Sequence, residues 1–475
     1  MRLIRPLQAF LAAVVVAVLA PLLTQPSSAQ PAAPALVGDT PTTTTITGTS
    51  THASSTTTLS VTLRDANAGL DAQPVLVERR VDDVWQTVAT VLTGAEGTAT
   101  TTATMSRLAA NNVFRATYAG DPTYAGSASG PVRVPLVRRA STITLSGPHQ
   151  VVDETSVILR VSWRTGNDQP VGGPVVLYRR TGDRWAKSRT TRTGSDGRVS
   201  ITLKPRSDSR WKVRGTTLDW VKGDDSPGFF IDNLPPGIPV TLPKAAPRPK
   251  ITLPKQPHAT GSGPNPAITA IPNGVWNQMT GITWHRGCPV GRAGLRLLRI
   301  NYWDYQGYRR RGEIVIASGA ASRVSAAFSE MYRAKLPIRA MYRVDRFGWS
   351  SRVRGGNDYR SMAAGNTSGF NCRDVVGRPG VRSPHSYGRS IDVNTWENPY
   401  RSRQGTVPNT WWMSHSHKRV AWRSRQHAVV RLMARHGLRW TYGNGDTQHF
   451  DVTSGSNGRV VMAPGCTLPT FIACD

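Results

Sequence analysis

The chain has 475 residues, 59 Lys and Arg against 29 Asp and Glu, a formal net charge of +30 and 39% hydrophobic residues. That length accommodates roughly two to four ordinary domains, and the composition excludes a polytopic membrane protein, a collagen and a wholly disordered tail. A balance this positive favours an anionic partner: nucleic acid, an anionic membrane or an anionic cell wall.

The N-terminus narrows that choice. Arg2 and Arg5 precede an apolar run from Phe10 to Leu23, and Ser27, Ser28 and Ala29 supply small residues at the cleavage positions. This is the layout of a secretory signal peptide over residues 1–29. The apolar run is short and Ala-rich for a bilayer span, and no later segment is apolar enough to cross. The mature chain is therefore expected to have no stable membrane span. Export sets nucleic acid aside as a natural partner and leaves the polymers of a cell wall.

After a Thr- and Ser-rich lead-in, the N-terminal half repeats with a period of 100. Pro74-Val75-Leu76-Val77-Glu78-Arg79-Arg80 answers Pro174-Val175-Val176-Leu177-Tyr178-Arg179-Arg180, Trp85 answers Trp185, and Thr93-Gly94 with Gly97 answers Thr193-Gly194 with Gly197. Self-similarity at long range marks duplicated domains. Thr58–Leu63 and Val157–Ser162 alternate in polarity, and Gly, Asp and Asn turns separate such runs. The pattern predicts two small antiparallel sandwiches, residues 30–138 and 139–233. They resemble the immunoglobulin-like modules of bacterial surface proteins in pattern, without their Cys pair. Trp85 and Trp185 are read as packing residues, and a spacer or wall-adhesion role is the default for such modules.

Residues 234–266 are rich in Pro and contain Thr-Leu-Pro-Lys twice, at Thr241–Lys244 and Thr252–Lys255. Proline at this density keeps a chain extended and semi-rigid, which predicts a linker. From 267 to 475 the pattern is α+β. Glu313–Ala317 reads as a strand, Ala320–Lys335 as a helix stopped by Pro337, and Lys418–His436 as a second helix closed by Gly437.

Two segments of this last region hold chemistry. In Ser383-Pro384-His385-Ser386-Tyr387-Gly388-Arg389-Ser390-Ile391-Asp392-Val393-Asn394, a His and an Asp stand seven residues apart; in Gly445-Asp446-Thr447-Gln448-His449-Phe450-Asp451-Val452, an Asp precedes a His by three. Two His and one carboxylate make a reasonable catalytic zinc site, because three protein ligands leave the fourth position to water. Ile391 and Val393 alternate with Asp392, so on a strand they face a core while Asp392 and Asn394 face the other way. His449 lies in a similar short run.

These segments resemble the SxHxxGxAxD and (E/D)xxH motifs of zinc D-alanyl-D-alanine carboxypeptidases of the VanY-like group, which L-alanyl-D-glutamate endopeptidases share. Ser390 stands where the family usually has Ala. Ser361–Ala364, Asn366–Arg373 and Glu397–Tyr400 resemble one secreted branch of the family. The resemblance implies that His385, Asp392 and His449 bind one zinc ion, that Asp446 is the general base and that Ser383 supports the site from behind the ligands. It also implies an Arg that holds a substrate carbonyl or carboxylate; Arg373 is the first candidate and Arg343 the second. Trp440 and Tyr442, just before the second motif, are candidates to line a cleft, with core packing the equal alternative. The implied substrate is the peptidoglycan stem peptide, most simply its terminal D-Ala–D-Ala bond, with anionic wall polymers as a second partner. The rival readings are endopeptidase cleavage between L-Ala and D-Glu, a wall-binding protein with an inactive peptidase domain, and a signalling ligand on the same zinc fold.

The four cysteines, Cys288, Cys372, Cys466 and Cys474, suit an exported chain with two disulfides. Cys288–Cys372 would staple the main fold and Cys466–Cys474 would close a C-terminal loop. No CxxC spacing favours a cysteine zinc site. His415 and His417, in an insertion beside Trp411 and Trp412, are read as surface or cleft rim.

Overall fold

A computed structural model describes residues 38–454 and 459–460. The expected signal peptide and the Cys466–Cys474 bridge lie outside the described residues. The chain divides into two compact units, one ending at Ser141 and including Thr217–Gly223, the other formed by Thr142–Thr216 and Asp224 onward. No helix among the described residues is long and apolar enough to cross a membrane.

The first unit is a β-sandwich. One sheet holds Thr43–Gly48, Thr56–Arg64 and Thr98–Thr104; the other is built on Val84–Leu92, Pro74–Val81 and Val113–Tyr118. Leu59, Val61 and Leu63 alternate inward from one sheet and meet Val75, Val77, Phe114 and Ala116 from the other.

The second unit begins with a sandwich of the same plan. Its sheets hold Ser141–Ser146, Val157–Thr165 and Arg198–Leu203 on one side, and Gln150–Val152, Phe229–Leu234, Ser209–Gly215, Pro174–Thr181 and Arg184–Arg192 on the other. The duplication extends to an irregularity: the register shifts between Val77 and Glu78 in one copy and between Leu177 and Tyr178 in the other. Trp85 and Trp185 are half-buried rather than central. Trp85 lies under the Arg115 guanidinium, 4.3 Å from its ring centroid, and the fully buried indole of the second sandwich is Trp163.

The α+β region follows. Strands β1 (Ala267–Thr269), β2 (Leu295–Trp303) and β3 (Arg309–Ala317) form an antiparallel sheet. Helix α1 (Ala321–Arg333) lays Val324, Ala327, Phe328 and Met331 against Leu298, Ile300, Ile314 and Ile316 of that sheet. It ends at Arg333, and Lys335 takes a left-handed φ of 51° two residues before Pro337. The later helix is shorter than its sequence pattern. α2 covers Ala428–Arg435 only, because the His427 side chain caps it by accepting from Val429 N. The preceding residues form a turn in which His417 bridges to Ala421 and Trp422 N donates to Asn398. A second sheet joins β4 (Ser390–Asp392), β6 (His449–Ser454) and β5 (Leu438–Arg439), in that order. Its back face, Ile391, Phe450 and Val452, completes the core with Val429, Leu432 and Met433 of α2. Cys288 and Cys372 are joined by a disulfide.

Residues 234–266 lie along this region. Leu242 and Ala246 sit against Trp396 and Trp412, while Ile251 and Leu253 sit against Ala340, Tyr342 and Phe347. Gln256 is buried; its amide accepts from Met341 N at 2.9 Å and donates to Met341 O.

Candidate metal centre

Register builds the site. In the antiparallel pair β4–β6, Asp392 stands directly opposite His449 and Ser390 opposite Asp451. Directly opposed side chains in such a pair have Cβ atoms about 5 Å apart. Strand alternation therefore gathers four polar groups on one face while Ile391 and Phe450 enter the core. His385 comes from the turn just before β4. Pro384–Tyr387 forms one 3-10 turn capped by Ser383, whose hydroxyl accepts from His385 N at 3.3 Å. Gly388 ends the turn with a left-handed φ of 66°, and a Cβ there would meet Ala317 N at 2.8 Å. Glycine is thus required both for the conformation and for the close approach.

The ring tautomers follow from their outer partners. His385 Nδ1 lies 2.9 Å from Gly369 O, a carbonyl that can only accept. His449 Nε2 lies 2.8 Å from Asp451 Oδ1. With both outer nitrogens donating, His385 Nε2 and His449 Nδ1 present their lone pairs to one another at 3.2 Å. The Asp392 carboxylate sits 3.2 Å from the first and 3.3 Å from the second. Three electron-pair donors converging in a buried pocket repel one another unless a proton or a cation lies among them. Burial disfavours the His449 cation, yet Asp451 and Asp392 on either side raise its pKa well above the ordinary value. Burial likewise opposes the Asp392 anion, and the two histidines beside it hold its pKa below the usual range. Two imidazoles, each with an anchored outer partner, and one carboxylate fit the three-ligand set of a catalytic zinc ion.

Asp451 was not among the residues singled out from sequence. Its carboxylate accepts from His449, from Ser390 Oγ at 2.6 Å and from Thr441 Oγ1 at 2.6 Å. The hydroxyl that distinguishes Ser390 from the family's Ala is one of these donors.

Asp446 is fully buried, and neither carboxylate oxygen has a hydrogen-bond partner among the described residues. Burial pushes its pKa well up, against the opposing field of His449. The segment around it is clamped: Thr447 Oγ1 donates to Pro399 O at 2.7 Å, and the indoles of Trp440 and Trp422 both donate to Thr447 O. Trp440 is thus buried in the core and holds the loop. Tyr442 is half-buried with its ring centroid 5.1 Å from that of His449.

Arg373 is buried beside this group. Its Nη2 pairs with Asp358 at 2.9 Å and its Nη1 donates to Asp374 O, and its charge lowers the Asp446 pKa. Asp358, a second residue that sequence reading did not single out, is also buried; desolvation raises its pKa against the pull of Arg373. Arg343 is placed elsewhere. Its guanidinium forms a fork with Asp345 at 3.0 and 2.9 Å and also reaches Glu313 and Gln278, so it ties the fold together. His415 stacks on Trp411 at 3.7 Å, and His417 lies in the turn before α2; neither joins the centre.

No curated protein matches the chain. Similar solved structures include an E. coli alpha-2-macroglobulin, at 9% identity and TM-score 0.19, covering 54% of this chain and 18% of that one. They also include invasin, described as a bacterial integrin-binding protein, at 14% identity and TM-score 0.28, covering 57% of this chain and 47% of that one. The D0-D1 domain of intimin is similar at 18% identity and TM-score 0.17, covering 40% of this chain and 98% of that one. The chain thus spans less than half the length of the first two. Residues 376–452, which carry His385, Asp392, Asp446 and His449, match the family described as D-alanyl-D-alanine carboxypeptidase.

Proposed function

We propose that this chain is an exported zinc peptidase that hydrolyses peptidoglycan stem peptides, most simply at the terminal D-Ala–D-Ala bond. The observation that carries the reading is the convergence of His385 Nε2, Asp392 and His449 Nδ1 beside the buried carboxyl of Asp446, which has no hydrogen-bond partner among the described residues. His385, Asp392 and His449 would hold the ion. A bound zinc ion supplies Lewis acidity, lowering the pKa of water and polarising the scissile carbonyl.

The other roles belong to the chain's own residues. Asp446 takes the proton from the attacking water and delivers it to the leaving amine. Its burial keeps that carboxylate basic, and the commitment of Asp392 to the metal separates the two carboxylates into two roles. Arg373, held by Asp358, supplies positive charge for a substrate carboxylate or carbonyl oxygen. The Tyr442 ring flanks that of His449. The export signal, the Cys288–Cys372 disulfide and the net positive charge support an extracellular, wall-associated setting.

The test is mass spectrometry of the products from a defined pentapeptide muropeptide, with zinc-loaded, chelator-treated and His449→Ala protein in parallel. Loss of one D-Ala in the zinc-loaded native sample alone is expected. A cut between L-Ala and D-Glu would replace the carboxypeptidase reading by the endopeptidase one. No cleavage with zinc bound would refute both.

A further inference from the structure

Two copies of one fold in a single chain can be compared strand by strand. In the first sandwich, strands 74–81, 84–92 and 113–118 carry Glu78 against Arg79, Arg80 and Arg115. The equivalent strands of the second, 174–181, 184–192 and 209–215, carry nine Arg and Lys and no acid. The edge strand changes most: 84–92 has no charged residue, whereas 184–192 has Arg184, Lys187, Arg189 and Arg192. Charge on an exposed edge discourages pairing with another chain, but that explains only this strand. Arg210, Lys212 and Arg214 lie on 209–215, which is paired on both sides.

Alternation shows where these cations go. Val175, Leu177, Trp211 and Val213 are buried, so their neighbours face outward. The register sets Tyr178 opposite both Lys187 and Lys212, Arg180 opposite Trp185, and Phe230 opposite Arg210. Cations and aromatic rings thus alternate across the outer face. Lys212 Nζ lies 5.3 Å from the Trp185 centroid, Arg214 lies 5.7 Å from that of Tyr178, and Arg210 lies 5.8 Å from that of Phe230, which is 41% exposed. The carboxylates nearby are Asp225, on Lys212 and Arg214; Asp183, on Arg180; and Asp232, beside Gln150. Lys187, Arg192 and Arg210 are exposed.

We propose that the outer face of this five-stranded sheet binds a linear sugar phosphodiester polymer. Sugar rings lie with their C–H faces on Tyr178, Trp185 and Phe230, and phosphates meet the cations between them. Arg predominates, and its planar fork suits phosphate oxygens. The proposal deepens the wall-association part of the proposed function and rests on it only for the source of the polymer; binding is read without enzyme turnover.

The experiment measures binding of the mature protein to poly(N-acetylglucosamine 1-phosphate), to polyphosphate and to dextran across a salt series. The sugar phosphate polymer is expected to bind most tightly, with affinity falling as salt rises, and dextran is expected not to bind. Lys187→Glu/Arg192→Glu/Arg210→Glu should lower the affinity about tenfold or more at low salt. Trp185→Ala should weaken the sugar polymer several-fold and leave polyphosphate unchanged. Arg333→Glu/Arg431→Glu/Arg439→Glu makes the same change in net charge on exposed positions elsewhere and should leave the affinity within about twofold. Equal losses in the two triple variants would overturn the proposal. So would polyphosphate binding as tightly as the sugar polymer with Trp185→Ala silent, or no binding by the native protein. Muropeptide turnover and melting temperature, measured on each variant, separate these failures from failure of the hydrolase reading or of folding.

Discussion

Replacing Asp451 by Asn tests whether the outer partner of His449 tunes the metal centre. The carboxylate receives three donors: His449 Nε2 at 2.8 Å, and Ser390 Oγ and Thr441 Oγ1 at 2.6 Å each. The first two share Oδ1, so an Asn that keeps its oxygen there retains both, and the Thr441 hydroxyl can turn to accept from the new amide. The variant then loses chiefly the negative charge behind the imidazole. Outer-partner losses of this kind cost about 10–100-fold in metal affinity, or about 1.4–2.8 kcal/mol. Ser390→Ala removes one donor and leaves the anion in place, so its loss should be a few-fold. Zinc affinity by competition with a chromogenic chelator, alongside melting of the metal-free protein, gives both numbers. Asp451→Asn binding zinc within about twofold of native while the metal-free protein melts lower would refute the reasoning, because Asp451 would then only hold the fold.

Asp446→Asn should abolish muropeptide turnover, by about 100-fold or more, yet leave zinc affinity and stability unchanged or improved, since the buried carboxyl has no hydrogen-bond partner among the described residues; turnover and melting on one sample check both. Reducing the Cys288–Cys372 bond, which spans 84 residues, should lower stability by about 4–5 kcal/mol on the loop-entropy account, read as a shift in denaturant midpoint. The hydrogen bond from Arg214 holds the Asp225 carboxyl at about 2, below its unfolded value of 3.8, with burial opposing and Lys212 assisting. Its stabilisation is therefore complete above the unfolded value and lost as pH falls through about 2. Asp225→Asn should cost about 0.5–1 kcal/mol near neutral pH, the scale of an exposed pair, and nothing at the acid end; equal cost at both ends would refute the assignment.

The candidate centre was legible as a grouping because His385, Asp392 and His449 lie in two short segments whose spacing and alternation survive in the sequence. What could not be read was the register that sets Asp392 against His449, since nothing local fixes which residue faces which. Asp451 had a signal. It lies two residues beyond His449, so the alternation applied to Ile391 and Val393 also places it on the ligand face. Asp358 had none, because it meets Arg373 only through the fold. The Gly369 carbonyl, which orients His385, is backbone and carries no side-chain signature; its requirement for glycine is visible only in space, where a Cβ would meet Val315 O at 2.5 Å. The helix pattern from Lys418 onward overran because Trp422 is drawn into the core, where its indole reaches Thr447 O and its amide reaches Asn398. Tertiary contacts there override local propensity.

Residues 234–266 show how composition can describe a conformation without stating its purpose. Proline makes the segment extended, as its density implies, but extension also lets a chain lie along a surface and place one side chain after another. The Leu of each Thr-Leu-Pro-Lys copy is such a point: Leu242 packs against the cluster of Trp396, Trp412 and Ala421, and Leu253 against that of Ala340, Tyr342, Phe347 and Ala364. Trp396 in turn donates to Pro247 O at 2.7 Å and lies four residues after Asp392. Buried Gln256 continues the attachment through Met341, and Glu154 and Asn233 of the second sandwich bond to Arg309 and Tyr308 of β3 and the turn before it. A sandwich and a peptidase region tied at this many points move as one body more readily than two domains on a free tether. If the cationic face of that sandwich holds a polymer, the metal centre is carried with it at fixed reach, and effective concentration at the wall rises without any gain in affinity for the stem peptide itself.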